Sequence, residues 1–403
     1  MINTEDGTEW GPPFSADEYR SRLAKVRQAM AEKGIDLLFV TSPPNITYLT
    51  GYDSIWYRRT TPTGLAIRAD RDRTLFFDSE SHVDLVKSGT GRFDEAIFVA
   101  RRKYEPAVET IIDTLKGRGW IKGTAAIERW SLAPHGIVIA AIEERLAAAG
   151  AKVVDGSWLV DRIKMVKSAT EVACMRKAAE IADRAMTAVT RALKPGMSEI
   201  EIQGLAHYTM AQHGGEEPAI RSAVRSGPRG AAHHVPPSRR KVRKGDIVWV
   251  DFSASYNRYH ADLARIFSVG EPDRRWTDLY EKASKSVDVV LREIKPGDPM
   301  LKLHEVANAY IESVGLKKYA WLVGGYDMGI AIPPDWVGHT FHSGLGFEAV
   351  NFDVGMTTNY ENVFDIVVED WPGGKGGSYI DMLLMTEHGL EVLSKLDRRM
   401  IVV

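Results

Sequence analysis

The second part of the sequence repeats one order of elements, and this repeat constrains the fold more than any other feature. A long amphipathic helix is predicted from Ser168 to about Leu193, and another from Trp276 to Ile294. Each ends at the same tripeptide, Lys194-Pro195-Gly196 or Lys295-Pro296-Gly297, because proline cannot continue a helix and glycine readily ends one. A shorter helix and strand-like runs follow each tripeptide. The repeat predicts two similar halves that share one sheet.

Between the two halves lies a predicted hairpin that carries two acidic residues. Its strands run from Ile247 to Phe252 and from Leu263 to Val269, and a turn at residues 255–257 joins them. Asp251 and Asp262 can then converge on one face, where a pair of desolvated carboxylates requires a cation, a shared proton or several donors. The hairpin is therefore predicted to form part of an active site. The alternative is that one acid caps a turn and the other pairs with a nearby arginine.

Composition limits the class of protein. The 403-residue chain is 44% hydrophobic with a formal net charge of −2, which suits two or three domains. Its one dense basic run, at residues 239–244, is too short to indicate nucleic-acid binding, and no apolar run approaches the roughly 18 residues of a membrane span. The single cysteine, Cys174, lies in a helical pattern that favours a buried thiol. Together with the polar start of the sequence, which lacks a leader, these features predict a cytoplasmic protein without nucleic-acid or membrane partners.

The residues before the repeat alternate between strand and helix patterns. Strands are predicted at residues 35–40, 64–67, 74–77 and 125–127, and helices at residues 105–116 and 134–149. Such alternation is typical of an α/β domain. The change of pattern near residue 158 predicts one domain over residues 1–158 and a second over residues 159–403.

Several motifs together resemble a known superfamily. They are Lys167-Ser-Ala-x-Glu171, the two Lys-Pro-Gly tripeptides, the Asp251 and Asp262 pair, and Met385-Thr-Glu-His-Gly-Leu. The chain resembles the pita-bread superfamily of creatinase, prolidase and methionine aminopeptidase over about residues 14–395. The segment Asn45-Ile-x-Tyr48-Leu-x-Gly51 is similar to the amino-terminal domain of creatinase and prolidase. The resemblance implies an α/β fold with a creatinase-like amino-terminal α/β domain, a carboxy-terminal pita-bread α+β domain, and a homodimer.

The resemblance also bears on metal binding. Metal-dependent members present two Asp, one His and two Glu around two divalent cations. Asp251, Asp262 and Glu361 match three of these positions, whereas Tyr326 falls on the histidine and Ile380 on the last glutamate. The expected site is therefore without a full dinuclear centre. The alternative is a rebuilt site for Mn, Zn or Fe, with candidate ligands Asp251, Asp262, Glu361, His339, His342 and Glu369, or Asp381 in place of Glu369.

The segment Gly325-Tyr-x-x-Gly-Ile-x-x-Pro-Pro-x-Trp336 resembles the ectoine hydrolase branch, with creatinase as its neighbour. In that alignment His234 takes the general acid and base position, His233 is structural, and Ala264 replaces a glutamate of creatinase-like members. The implied catalytic residues are His234, Glu361, Asp251 and Asp262. The implied substrate contacts are Tyr326, Tyr52, Trp56, Arg58 and Arg59, the last three from a loop that reaches the neighbouring subunit.

This resemblance implies hydrolysis of a C–N bond in a small amidine or amide, ectoine-like or creatine-like, that is cationic or zwitterionic. Neutral imidazole suits the proton transfers that such a reaction needs. The alternatives are a metal-dependent Xaa-Pro dipeptidase or aminopeptidase, a lyase, and a non-catalytic member of the same fold.

Overall fold

The structure, a computed structural model, describes residues 11–57, 60–336 and 350–403. Contacts divide the chain into two compact units with the boundary between Lys164 and Met165, a few residues after the predicted change near residue 158. The short helix at Leu159–Lys164 accounts for this difference, because it buries Leu159 and Val160 and packs on the first helix of the first unit. In the described residues, no helix is both long enough and apolar enough to cross a membrane.

The first unit is built around one mixed sheet of six strands in the order β4-β3-β2-β1-β5-β6. Its strands are β1 Leu37–Val40, β2 Gly64–Arg68, β3 Thr74–Ser79, β4 Glu95–Val99, β5 Thr124–Ile127 and β6 Lys152–Asp155. Its helices are α1 Ala16–Glu32, α2 Pro43–Thr50, α3 Val83–Lys87, α4 Tyr104–Gly117, α5 Gly136–Ala148 and α6 Leu159–Lys164. The predicted elements of this unit agree with these bounds to within two residues. Apolar faces of α4 and α5 bury the sheet, as the α/β pattern predicts.

The second unit contains four helices and one sheet of eight strands. The helices are α7 Ala169–Ala192, α8 Glu199–Gln212, α9 Arg274–Glu293 and α10 Met300–Ser313. The strands are β7 Ala223–Ser226, β8 Ile247–Tyr256, β9 Tyr259–Ser268, β10 Ala320–Gly324, β11 Thr357–Asp365, β12 Gly376–Thr386, β13 Gly389–Val392 and β14 Ile401–Val402. Helix α7 begins at a complete capping box, in which Ser168 and Glu171 each satisfy a backbone amide of the other. Cys174 is buried on this helix, as predicted.

The order of strands in the large sheet confirms the predicted repeat. The main path is β10-β11-β12-β9-β8-β7, so three strands from each half lie side by side and the halves meet where β9 pairs with β12. Each half supplies two helices separated by a Lys-Pro-Gly tripeptide and then three strands. Both units combine helices with one sheet, as the predicted α/β fold class requires.

The acidic hairpin is longer than predicted, and its turn lies elsewhere. Strands β8 and β9 pair without interruption from Ile247 and Ser268 to Tyr256 and Tyr259. Asn257 and Arg258 alone form the turn, with φ of 52° and 65°. Two-residue hairpin turns of this kind require positive φ at both positions, and asparagine adopts it readily. The prediction placed the turn at residues 255–257 because it ended the first strand too early.

Candidate active site

Four residues form a row across the centre of the large sheet. Asp251 on β8 pairs with Ala264 on β9, Ala264 with Ile380 on β12, and Ile380 with Glu361 on β11. The neighbouring β8 residues Val248, Val250 and Phe252 pack against α7 and α8. Since successive side chains of a strand alternate between faces, the row lies on the opposite face of the sheet.

The two hairpin acids converge as predicted. Asp262 pairs with Ser253, two residues along β8 from Asp251, so both carboxylates lie on one face and hydrogen-bond to each other. Burial raises the pKa of Asp262 well above its usual range, and the charges of Asp251 and Glu361 raise it further. Asp251 is partly exposed, and burial raises its pKa to about 6 against the opposing charge of Arg225. We infer that Asp262 keeps the proton that the pair shares.

A chain of donors supports the third carboxylate. The indole Nε1 of Trp336 donates to the Tyr326 hydroxyl over 3.2 Å, and Tyr326 is hydrogen-bonded to Glu361. The Asn359 amide donates to Glu361 and, over 3.3 Å, to Asp262. Burial and the charge of Asp251 nevertheless raise the pKa of Glu361 to about 7. Tyr326 stays neutral, because burial and the charges of Glu361 and Asp262 raise its pKa well above the usual range.

Asn359 was missed by the sequence analysis, although one signal for it exists. It stands two residues before Glu361 on the same strand, and a period of two places both side chains on one face. Its side-chain oxygen, Oδ1, accepts a hydrogen bond from the backbone amide of Tyr326 over 2.9 Å. One amide side chain therefore connects Tyr326, Glu361 and Asp262.

Arg225 was also missed, and it supplies a cation beside the acids. Its guanidinium carbon lies 3.3 Å from the centre of the Trp249 ring, and Nη1 donates to the carbonyl oxygen of Ala232 over 2.9 Å. Burial lowers its pKa to about 10 while the charge of Asp251 acts in the opposite direction, so it stays protonated at neutral pH. No sequence motif marks Arg225, since β7 brings it to the site only through pairing with β8.

The two adjacent histidines have different surroundings. His233 stacks on Trp321 with ring centres 4.2 Å apart, lies 3.4 Å from Nη1 of Arg225 through Nδ1, and meets Asp365 through Nε2 at 2.7 Å. His234 is exposed, adopts a φ of 58° and contacts Trp321 edge to face at 5.9 Å. Across residues 11–57, 60–336 and 350–403, no hydrogen bond is recorded for the His234 ring. His233 is thus held in place, as predicted, whereas the role predicted for His234 stays a prediction.

The alternative metal ligands do not join the carboxylates. The carboxylate of Glu369 accepts hydrogen bonds from Lys318, Tyr319 and Trp371 near the surface, which lowers its pKa to about 2. Asp381 forms a buried ion pair with Arg265 at 3.0 Å, because its neighbour Ile380 takes the site face of β12. Glu369 and Asp381 were therefore wrong candidates. His339 and His342 lie outside the described residues.

Tyr52 is not a substrate contact, contrary to the sequence prediction. It is completely buried in the first unit, where its hydroxyl donates to Asp78 over 2.5 Å. Trp56 follows it in an exposed segment, with 61% of its surface accessible. Arg58 and Arg59 lie outside the described residues, so the role predicted for this loop stays a prediction.

The described residues do not fit a dinuclear metal centre. Such a centre needs a bridging carboxylate, and the sheet places the apolar Ile380 between Ala264 and Glu361. It also needs an imidazole as a terminal ligand. The position matched to that histidine holds Tyr326, a neutral phenol that is hydrogen-bonded to Glu361. The negative charge of the three remaining acids is reduced by shared protons and stabilised by hydrogen bonds from Asn359 and by the charge of Arg225. No group of three potential ligands in the described chain was found suited to a metal ion.

Comparison with known families shows to which family the chain belongs. The sequence profile of metallopeptidase family M24 matches residues 173–387, which is more than half of the chain. The chain belongs to metallopeptidase family M24. The profile of the creatinase and prolidase amino-terminal domain matches residues 22–166, and together the two profiles cover both units of this M24-family hydrolase.

The similarity to individual relatives extends over almost the whole chain. The ectoine hydrolase of Halomonas elongata is 26% identical, with 97% of this chain and 98% of that protein covered. The Xaa-Pro dipeptidase of Pyrococcus furiosus is 25% identical, with 95% and 100% covered. Among solved structures, a prolidase from Thermococcus sibiricus gives a TM-score of 0.80 at 21% identity, with 96% and 100% covered. The Xaa-Pro dipeptidase from Bacillus anthracis gives 0.79 at 23% identity with the same coverage, so these structures share the fold.

The raised pKa of Glu361 predicts that stability falls as the pH rises. A carboxyl whose pKa is about 7 in the folded M24 chain and 4.5 when unfolded binds more protons in the folded state between these values. Its stabilising contribution is complete below the lower value and is lost as the pH passes the higher one, a total change of about 3 kcal/mol. Urea unfolding at pH 5 to 8 measures this change. Glu361→Gln is expected to make the profile less steep, with the remaining slope coming from the raised pKa values of Asp251 and Asp262, and an equally steep profile in that variant would contradict the assignment.

Proposed function

We propose that this M24 hydrolase cleaves a C–N bond in a small cationic or zwitterionic amidine or amide without a complete dinuclear metal centre. The observation that carries the proposal is the row Asp251, Ala264, Ile380 and Glu361, in which an apolar residue replaces the bridging ligand. Three buried or half-buried acids, whose raised pKa values favour their protonated forms, then lie together at the centre of the sheet. A positively charged substrate lowers the cost of ionising these acids, whereas the neutral carbonyl of a peptide does not.

Each acid has a proposed role in the reaction. Asp251 and Asp262 bind the cationic nitrogen of the substrate, and Asp251 is the more readily ionised of the two. Glu361 orients the attacking water or stabilises the charged intermediate, while Tyr326 fixes its carboxylate by a hydrogen bond. In these roles the carboxylates accept hydrogen bonds or bind positive charge. Such interactions are strongest where burial excludes water.

His234 is proposed to carry the proton. It accepts a proton from the attacking water and returns it to the nitrogen that leaves, so that the bond to carbon is replaced by a bond to oxygen and the leaving amine is neutralised. His233 does not suit this role, because Arg225 and Asp365 occupy its two ring nitrogens.

A second candidate function is an Xaa-Pro dipeptidase that depends on metal. The nearly equal identities to an ectoine hydrolase and to an Xaa-Pro dipeptidase favour neither substrate by themselves. The dipeptidase requires that His339 or His342 complete the metal site with Asp251, Asp262 and Glu361. The donor set described above is the reason for preferring the first candidate.

A comparison of substrates with and without a chelator tests the choice. Purified protein is incubated with ectoine or with an Xaa-Pro dipeptide, before and after exposure to EDTA, and the products are measured by mass spectrometry. Ectoine hydrolysis that survives EDTA is the expected result, because no step of the proposed reaction uses metal. Dipeptide hydrolysis that is lost in EDTA and restored by Mn²⁺, with about two metal equivalents bound per chain, would establish the second candidate instead.

The remaining predictions from the sequence concern assembly and location. The homodimer, with Trp56, Arg58 and Arg59 reaching the partner's site, and the cytoplasmic location stay predictions, as do the absence of nucleic-acid and membrane partners. A lyase and a non-catalytic protein are the other outcomes that the substrate test distinguishes, by the products formed or by their absence.

A further inference from the structure

Three hydrogen-bond donors on β7, β8 and α9 are buried without a partner in the described part of the chain. They are Nε of Arg225, Nε1 of Trp249 and the hydroxyl of Tyr280, on residues that are 2%, 3% and 3% exposed. Buried polar groups in native proteins are nearly always hydrogen-bonded, since an unsatisfied donor costs free energy. Three such donors in neighbouring side chains indicate a place that an acceptor occupies.

The three donors are close to one another. The guanidinium of Arg225 stacks on Trp249, and its charge acts on the Tyr280 hydroxyl. Trp249 pairs with Ile266 across the hairpin. The Tyr280 hydroxyl and Cδ1 of Ile266 both lie within 2.5 Å of where a side chain at Gly377 would begin, so this hydroxyl reaches the sheet beside Ile266. The absence of a side chain at Gly377 gives Tyr280 its position.

The charges around the donors suit an anionic acceptor. Arg225 contributes a positive charge, and Trp249 and Tyr280 contribute neutral donors. The charge of Asp365 also acts on Arg225 and Tyr280, and this carboxylate is already engaged by His233 at 2.7 Å. A carboxylate accepts several donors at once, and hydrogen bonds between ions and donors are the stronger ones.

We propose that Arg225, Trp249 and Tyr280 form a subsite for a carboxylate group of the substrate. The inference rests on the proposed function, because the subsite would bind the carboxylate of a substrate whose cationic nitrogen is bound by Asp251 and Asp262. Trp249 precedes Asp251 by two residues on β8, a separation of about 7 Å in a strand. The substrate class is therefore a zwitterion that carries a carboxylate as well as a cationic nitrogen.

The test measures binding of simple probes by calorimetry to the whole protein. The probes are the ω-amino acids glycine, 4-aminobutyrate, 5-aminopentanoate and 6-aminohexanoate, with n-pentylamine and n-hexylamine as matched amines and hexanoate as a matched acid. The two longest amino acids are expected to bind about 10-fold more tightly than the amines of the same length, because only they reach both ends of the pocket. Equal affinities for amino acids and amines would overturn the subsite.

Tyr280→Phe removes one donor and little else. It is expected to weaken binding of 6-aminohexanoate by roughly 10-fold, to leave n-hexylamine binding unchanged, and not to lower the melting temperature, because the lost hydroxyl has no partner among the described residues. Tyr360→Phe is the control, since Tyr360 is also a completely buried tyrosine of the second unit, and its hydroxyl lies beside Ser286 and Asn362 instead of Arg225. It is expected to change neither affinity, and an equal loss in both variants would overturn the assignment to Tyr280.

The subsite and the proposed function fail in different ways. If ectoine is hydrolysed but 6-aminohexanoate binds no better than n-hexylamine, the subsite is wrong and the function stands. If hexanoate binds in a Tyr280-dependent manner while the amines do not bind, the subsite stands and the cation pocket of the proposed function is wrong.

Discussion

His234→Ala is expected to lower kcat by about 100-fold or more, with little change in KM. A general acid and base that acts mainly in the transition state contributes about 10²–10⁴-fold to the rate and little to ground-state binding. The exposed ring of His234, next to Trp321, supports this role. Steady-state kinetics on the substrate found by the EDTA comparison measure both constants.

His233→Ala is the matched control for this substitution. It removes a stacked ring and the contacts to Arg225 and Asp365, so its main effect is expected on stability and on KM. If His234→Ala keeps near-wild-type turnover while His233→Ala loses it, the proton carrier has been assigned to the wrong histidine. If both variants keep turnover, neither residue carries the proton and the dipeptidase candidate becomes the stronger one.

Arg265→Met is expected to lower the free energy of unfolding by about 3–5 kcal/mol, because it leaves a buried carboxylate without its counter-ion. Arg265 and Asp381 are 1% and 0% exposed in their side chains and lie 3.0 Å apart. Arg265 also donates to the carbonyl oxygens of Ala264 and Ile380 over 2.9 and 3.0 Å. The same side chain therefore joins the two strands at the middle of the active-site row.

Two further variants complete this experiment, with urea unfolding as the measurement. Arg265→Met with Asp381→Leu is expected to recover much of the loss, since removing both charges leaves neither one buried alone. Arg274→Met is the control for a solvated pair, because Arg274 and Asp278 are 90% and 54% exposed, and it is expected to change stability by less than about 0.5 kcal/mol. A loss below about 1 kcal/mol in Arg265→Met would show that the buried pair does not stabilise the sheet.

The fold was largely predictable because its signals are local. The Lys-Pro-Gly tripeptides and the capping box at Ser168 mark helix ends by backbone chemistry that needs no tertiary contact. The hairpin turn was misplaced because Tyr256 and Tyr259 are paired strand residues next to a turn of only two residues. The position of the turn is set by how far the two strands pair, and this pairing cannot be determined from the sequence of one strand alone.

The site was predictable only where motifs mark it. Asp251, Asp262, Glu361 and Tyr326 were located by spacing and resemblance, and the structure brings them together. Arg225 escaped notice because β7 carries no chemical motif and the residue acts through pairing across the sheet. Tyr52 and Glu369 were misjudged because sequence does not show whether a polar side chain already has a partner, Asp78 for one and Lys318 for the other.

The two halves of the large sheet give the pocket an electrostatic symmetry. In each half the middle strand, β8 or β11, supplies an acid of the row, and the inner strand, β9 or β12, supplies its neutral residue, while β9 alone also carries a second acid, Asp262. Ala264 and Ile380 are therefore equivalent positions, paired with each other at the junction of the halves and anchored there by the same guanidinium. The charge at the centre of the sheet therefore comes from Asp251, Asp262 and Glu361, and the two equivalent inner positions add none.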